Sequence, residues 1–260
     1  MSVLKLLALT LFLTVACAAQ DLKVAAAADL SSAMPSLGAA FEKQTGIRVN
    51  VSLGSSGNFF AQIQNGAPFD VFLSADRSYP EKLKQAGLTE PETLVSYARG
   101  KLALWIPNRS ALRFAADKNG MLTGDLEGLL APEVQRIAIA NPEHAPYGRA
   151  AVAVLMHYSI YDKAKTKLVL GENISQTAQF AQSGNADAAF IAYSIALTAP
   201  MKKQGQFLLL PQESYPPLEQ AAVVPKSSSN KTQARRFVEF LKSAGAEAIL
   251  RQFGFEAAPK

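Results

Sequence analysis

Cysteine is almost absent from this sequence. The 260 residues contain one, Cys17, and it falls inside an apolar leader, so the rest of the chain holds no thiol and no disulfide supports the fold. Histidine is nearly as scarce, with His144 and His157 alone. Two isolated imidazoles without cysteines or a carboxylate cluster leave no metal-ligand spacing. They also leave little for a serine hydrolase, which needs a histidine base. His157 follows an apolar helical run, and His144 sits in "NPEHAPYG" with no acid at an informative distance. A nucleophile elbow reads G-x-S-x-G, and "GSSG" at 54–57 falls one residue short. No G-x-x-x-x-G-K-[ST] phosphate loop occurs. The acids of "EPE" and "QDL" are ordinary loop charges. The sequence therefore reads as a non-enzyme.

Long apolar runs are missing as well. After residue 19 nothing approaches the roughly 20 apolar residues that span a bilayer. The first 19, "MSVLKLLALTLFLTVACAA", place Lys5 before an apolar core and small residues, the pattern of a cleaved export signal. "TVAC" also resembles a lipoprotein box that would make Cys17 a lipid anchor. Thr14 fits that box poorly, and the small-residue cleavage pattern favours an exported, soluble form. Basic blocks are absent too. The formal charge of +5 is scattered, whereas a nucleic-acid binder concentrates it in a stripe or face. A mildly positive field does speed the arrival of an anion.

What is present is alternation. "LKVAAAA" (22–28), "IRVNVSL" (47–53), "DVFLSA" (70–75), "KLALWIP" (101–107), "RIAIAN" (136–141), "ADAAFIAYS" (186–194) and "LEQAAVVP" (218–225) read as strands. Helical patterns lie between them, the first over 30–46 with Met34, Leu37 and Phe41 on one face. A closing helical pair covers "KTQARRFVEFLKSAGAEAILRQFG". Strands separated by helices predict an α/β protein with parallel or mixed sheets covered on both faces. The units fall into two groups, 20–98 and 99–218. "YPPLEQ" reads as a hinge strand that returns 219–260 to the first body and leaves a cleft between two lobes.

Four strand-to-helix junctions share one chemistry. "GSSGN" precedes "FFAQIQ", "AADLSSAM" opens the first helix, "HAPYG" precedes "RAAVAVLMHY", and "GENIS" precedes "QTAQFAQ". A helix N-terminus offers free backbone N–H groups and a partial positive charge. A glycine- and serine-rich turn lets an oxyanion approach them. Each turn alone reads first as a plain N-cap. Four together, in an exported chain without catalytic groups, point to anion binding.

These stretches, with "NGAPFDVFLSAD", "NPEHAPYG", "AAFIAYS" and "FLKSAGAEAILRQFGF", resemble the periplasmic molybdate-binding proteins of ATP-driven (ABC-type) molybdate importers. The likeness covers nearly the whole chain after the leader. It implies a two-lobed, Venus-flytrap (type II) binding protein with mixed sheets flanked by helices and the ligand between the lobes. It implies a monomer without a cofactor, with a membrane ABC permease as partner and molybdate or tungstate as ligand. Sulfate or another tetrahedral oxyanion is the alternative. Molybdenum would be held only as its oxyanion. Carried over by motif, Ser56 is a hydroxyl and amide donor, Tyr147 and Ile174 are backbone-amide positions, and Tyr193 is a phenol donor from the second lobe. Asp29 stands where many members have serine. Asp29 is counted among the oxyanion-binding positions, but a carboxylate beside a dianion in a dry cleft is unfavourable. The expectation is therefore that it caps a helix beginning at Leu30, its carboxylate turned onto the backbone, with the contact made by the amides of Asp29 and Leu30 or by Ser31 or Ser32. The alternative is a carboxylate that faces the cleft and accepts from an oxyanion that keeps a proton.

Overall fold

The computed structural model describes residues 21–259. The expected leader and Cys17 lie outside the described residues.

The chain opens with β1 (Leu22–Ala27), a 3₁₀ turn (Ala28–Leu30), α1 (Met34–Thr45), β2 (Val49–Gly54), α2 (Ser56–Gln64), β3 (Val71–Ser74), α3 (Ser78–Gln85) and β4 (Val95–Gly100). It continues with β5 (Leu102–Pro107), β6 (Ile137–Ala140), α4 (Pro146–His157), α5 (Tyr161–Ala164), β7 (Leu168–Gly171), α6 (Ile174–Gln182), β8 (Ala188–Ala192), α7 (Tyr193–Ala196), α8 (Ala199–Gln204) and β9 (Gly205–Leu209). It closes with β10 (Leu218–Val223), α9 (Lys231–Leu241), α10 (Ala244–Gln252) and β11 (Glu256–Ala257).

Two mixed sheets result. One runs β11-β4-β10-β3-β1-β2 and the other β7-β6-β8-β5-β9. In the first, β1 pairs in parallel with β2 and β3, while β10 runs antiparallel to β3 and β4. In the second, β6 is parallel to β7 and β8, and β5 is antiparallel to β8 and β9. The continuous apolar runs became β3, β5, β6 and β8, buried along their whole length under helices on both faces. The alternating run became β2, an edge strand with part of its length exposed.

Each sheet carries its own core. On one face of the first, Leu22, Val24, Leu37 and Phe41 pack with Phe237 of α9, the two phenyl rings meeting edge to face at 4.9 Å. On its other face lie Phe59, Ile63, Phe72 and Leu83. Leu104, Trp105, Ile139, Val154 and Phe190 centre the second core. Burying one such side chain contributes about 1.5–3 kcal/mol, and the second core extends to Ala27, Ala28 and Ala75 at the strand ends of the first sheet.

The first helix corrects an expectation. It begins at Met34, and residues 28–33 make a 3₁₀ turn and tight turns instead. Pro35 accounts for this. Proline is tolerated only in a first turn and disfavours helical backbone just before it, so the helix starts where Pro35 can occupy that turn.

The chain passes between the sheets twice. It leaves β4 at Gly100 and enters β5 at Leu102, and it returns over 210–217 into β10. The two crossings lie side by side, because β4 and β10 are paired with Gly100 opposite Leu218. The boundaries expected at 98/99 and 218/219 thus fall inside the ends of these two strands. Among the described residues no helix is long and apolar enough to cross a membrane.

Candidate functional site

All four junctions meet. Ala27 and Gly54 are register partners at the ends of β1 and β2, and Ala140 and Gly171 are partners at the ends of β6 and β7. The turns that follow these strand ends line a single small cavity of about 10 Å³, completed by Ala75 after β3. Ligands in open α/β sheets collect at such carboxyl ends. That is room for about one water-sized body, far below the roughly 300–1,000 Å³ of organic-ligand pockets, so the cavity admits nothing larger than a small ion.

Each junction offers backbone amides in its own way. Ser55 caps α2, its Oγ accepting from the amide of Asn58 at 3.3 Å. Ser56 follows in the first turn, wholly buried, and its Oγ accepts from the amide of Ala75 at 3.0 Å. A hydroxyl has one proton to give, and with an amide fixed on its oxygen the Ser56 O–H is free to donate inward. Asn173 caps α6 by accepting from Ser175 and Gln176, which leaves the amide of Ile174 at the first helical position. Pro146 opens α4 with no side-chain cap, so the amide of Tyr147 in that first turn lacks an acceptor within the helix. No lysine, arginine or histidine lines the cavity.

Asp29 does not cap. It lies within the 3₁₀ turn and its carboxylate makes no cap bond. Its Oδ2 accepts from the phenol of Tyr147 at 3.0 Å and from Nε2 of Gln220 at 2.8 Å. Oδ1 is buried with no partner. Because the helix starts late, first-turn amides are not where the expected cap would have reached them. Burial pushes the carboxyl up to about 6, and the bonds from Tyr147 and Gln220, with the nearby amides of Asp29 and Leu30, offset only part of that. Tyr147 therefore serves twice, through an amide and through a phenol that sequence reasoning did not assign. Its approach requires Gly100, where a Cβ would stand 2.2 Å from the phenol oxygen.

Tyr193 is not brought to the cavity. Its ring packs on Phe207, with centroids 5.5 Å apart, and over Gly254. The expected strand ran through this residue. In the structure β8 ends at Ala192 and α7 begins at Tyr193, which turns the ring outward from the site.

The two bodies touch around the cavity. Gly57 donates its amide to the carbonyl of His144 at 2.8 Å. His144 Nδ1 lies 3.0 Å from Ser55 Oγ, and Asn58 donates to Glu172. Arg149 pairs with Asp76 and donates to the Tyr79 hydroxyl at 3.0 Å. Ser175 and Ser194 donate to the carbonyls of Ala28 and Asp29 at 3.1 and 2.7 Å. These bonds hold the cleft shut over the cavity.

The family model for bacterial extracellular solute-binding protein matches residues 22–256. The chain belongs to that family. Molybdate-binding protein ModA of Rhodobacter capsulatus is 38% identical to this solute-binding protein over 249 residues, 96% of this chain and 93% of that one. ModA of Azotobacter vinelandii is 38% identical over 242 residues, 92% of each chain. The solved Azotobacter vinelandii periplasmic molybdate-binding protein superposes with a TM-score of 0.81 at 37% identity, over 92% of this chain and all of that one. The two mixed sheets flanked by helices are thus those of a two-lobed, type II solute-binding protein.

Proposed function

We propose that this solute-binding protein captures molybdate, or the similar tungstate, outside the cytoplasm and delivers it to a membrane ABC importer. The observation that carries this is the convergence of four strand-to-helix junctions on one closed cavity whose polar lining is built largely of neutral donors. Relatives with 38% identity over nearly the full chain are named for molybdate binding, which supports the ligand. In this reading Ser56, Tyr147 and Ile174 hold the oxygens of the anion, Asp29 borders it, and no side chain ligates molybdenum. Tyr193 has no direct part. Hydrogen bonds to a charged acceptor contribute about 1.5–3 kcal/mol each, and several of them in a closed site offset the loss of the anion's hydration. The lobes are residues 20–98 with 219–260 and residues 99–218, exchanged at the paired crossings, and the leader directs the chain to the periplasm.

The protein acts as a carrier in this reading, without catalysis. Ser55, His144 and Glu172 have the composition of a hydrolase triad, with His144 Nε2 3.7 Å from Glu172. Yet Ser55 Oγ caps a helix, Glu172 is exposed, and the serine and histidine face each other across the lobe contact. They read as a latch. Serine-dependent turnover of a chromogenic ester would restore the enzyme.

A thermal-shift series on the mature protein tests the ligand. Molybdate and tungstate are expected to raise the melting temperature, with about 2.7 kcal/mol of added stability at 100 times Kd. Equal stabilisation by sulfate at the same concentration defeats the molybdate assignment in favour of a general oxyanion receptor.

A further inference from the structure

Asp29 places an acid where a dianion calls for donors. It is wholly buried in the cavity wall. Oδ2 is engaged by Tyr147 of α4 and Gln220 of β10, whereas Oδ1 is equally buried and has no protein partner. No basic side chain lines the cavity to neutralise it. The titratable groups that face it are phenols, Tyr147 directly and Tyr97 of β4 behind Gln220, whose Oε1 accepts from Tyr97 at 3.2 Å. Burial and the Asp29 charge push both phenols up, so both stay neutral. From α6 and α7 the neighbours are Ser175 and Ser194, which bond to backbone carbonyls and do not titrate.

An ionised Oδ1 facing a dianion at short range, in a site closed to water, is strongly repelled. The same oxygen carrying a proton becomes one more donor. Oδ2 is already engaged by Tyr147 and Gln220, whereas the amides of Asp29 and Leu30 lie near the carboxylate but make no well-formed bond to Oδ1, so Oδ1 is the oxygen left to take it.

Resting on the oxyanion reading above, we propose that Asp29 joins the anion complex as the neutral acid, its Oδ1–H donating to the bound dianion, so that each dianion captured takes up one proton from solvent. The anion keeps its full charge, and the proton stays on Asp29. Burial has already moved the free carboxyl to about 6, so at neutral pH the protonated form is close at hand. Above that point the affinity for a fully ionised dianion falls about tenfold per pH unit. An anion that keeps a proton of its own presents it to ionised Asp29 and needs no uptake. Asp29 thereby sorts anions by where their proton sits.

The test is calorimetric titration of the full mature protein with molybdate between about pH 6.5 and 8.5, in buffers of different ionisation enthalpy. The expected result is a tenfold loss of affinity per pH unit and one proton taken up per molybdate. Asp29→Asn keeps an acceptor for Tyr147 and Gln220 and puts an N–H where Oδ1–H stood. It is expected to bind with no pH dependence and no proton uptake, and on the order of tenfold or more tighter than wild type at the alkaline end. Wild-type binding with flat affinity and no proton uptake overturns the proposal and leaves the oxyanion reading standing. Failure of both proteins to bind molybdate, tungstate or sulfate at any pH rejects the oxyanion reading, and this proposal with it. The wild-type proton count decides the matter even if the variant does not fold.

Discussion

Two junctions sit side by side on the first sheet. β1 and β2 run parallel and end level, Ala27 opposite Gly54. After Gly54 the chain enters α2 at once, with Ser55 as cap and Ser56 in the first turn. After Ala27 it makes a 3₁₀ turn, and α1 waits until Met34. One junction therefore presents helix amides and a hydroxyl proton, and its neighbour presents a carboxyl. The strands run parallel and end level, so the difference arises in the few residues that follow them. A helix end acts as an anion donor only where the helix begins at the cleft. Where Pro35 delays it, the side chain in the intervening turn sets the chemistry, and distant residues must accommodate it.

The sharpest way to break the comparison is to hold the α2 junction away from the opposite lobe. A Cβ on Gly57 would stand 2.7 Å from the carbonyl oxygen and Cβ of His144. Gly57→Ala is expected to keep both folded lobes and weaken molybdate binding by at least two powers of ten, about 3 kcal/mol or more. Small-angle scattering should then show no compaction on adding molybdate. Unchanged affinity would mean that this contact is absent from the bound form.

The next test isolates the carboxyl junction without ligand. The folded Asp29 carboxyl lies near 6, above its ordinary 3.8. Between those values the folded state holds more proton than the unfolded one, so stability is present below about pH 4 and is lost as pH rises through about 6. Wild type should lose on the order of 3 kcal/mol over this window relative to Asp29→Asn. Urea melts of both proteins at several pH values measure it, and a difference that stays constant from acid to neutral pH refutes it.

Ser56→Ala probes the donor junction. It removes the acceptor for the Ala75 amide and, in the proposed function, a proton donor to the anion. Affinity should fall by one to two powers of ten, since a charged hydrogen bond is involved, and unchanged binding would remove Ser56 from the site. The smallest effect belongs to Tyr193→Phe. Its ring stands against Phe207 and Gly254, so affinity should change by less than about twofold. A tenfold loss would return the phenol to the site.

Period and turn chemistry made much of this molecule legible beforehand. Buried runs such as "DVFLSA" and "KLALWIP" could be read as central strands, and the amphipathic face of Met34, Leu37 and Phe41 is the one α1 buries. The four glycine- and serine-rich turns could be picked out as candidate anion sites because their chemistry is local, and the structure brings them to one cavity. The partners of Asp29 were not. Tyr147 and Gln220 lie 118 and 191 residues away, and only the pairing of β10 with β3 and β4 brings Gln220 beside the first turn. The amide of Ala75 on Ser56 was hidden for the same reason. Tyr193 was carried to the site by resemblance alone, and the residues themselves gave no signal for it; "FIAYS" is apolar enough to extend a strand that in fact stops one residue before it. Strands β4, β7, β9 and β11 had no distinct pattern of their own.

The paired crossings act as the spine of a book. Gly100, at the end of β4, touches the phenol of Tyr147, and Gln220 lies two residues beyond Leu218, its neighbour across the ribbon. The Asp29 corner of the cavity is therefore built on the spine itself. Rotation about a spine displaces each atom in proportion to its distance from it. The lever arm is short at the Asp29–Tyr147–Gln220 bonds, so a given angle of opening lengthens them least. If the lobes open about this spine, as the proposed function requires, the covers part first and the Asp29 corner last.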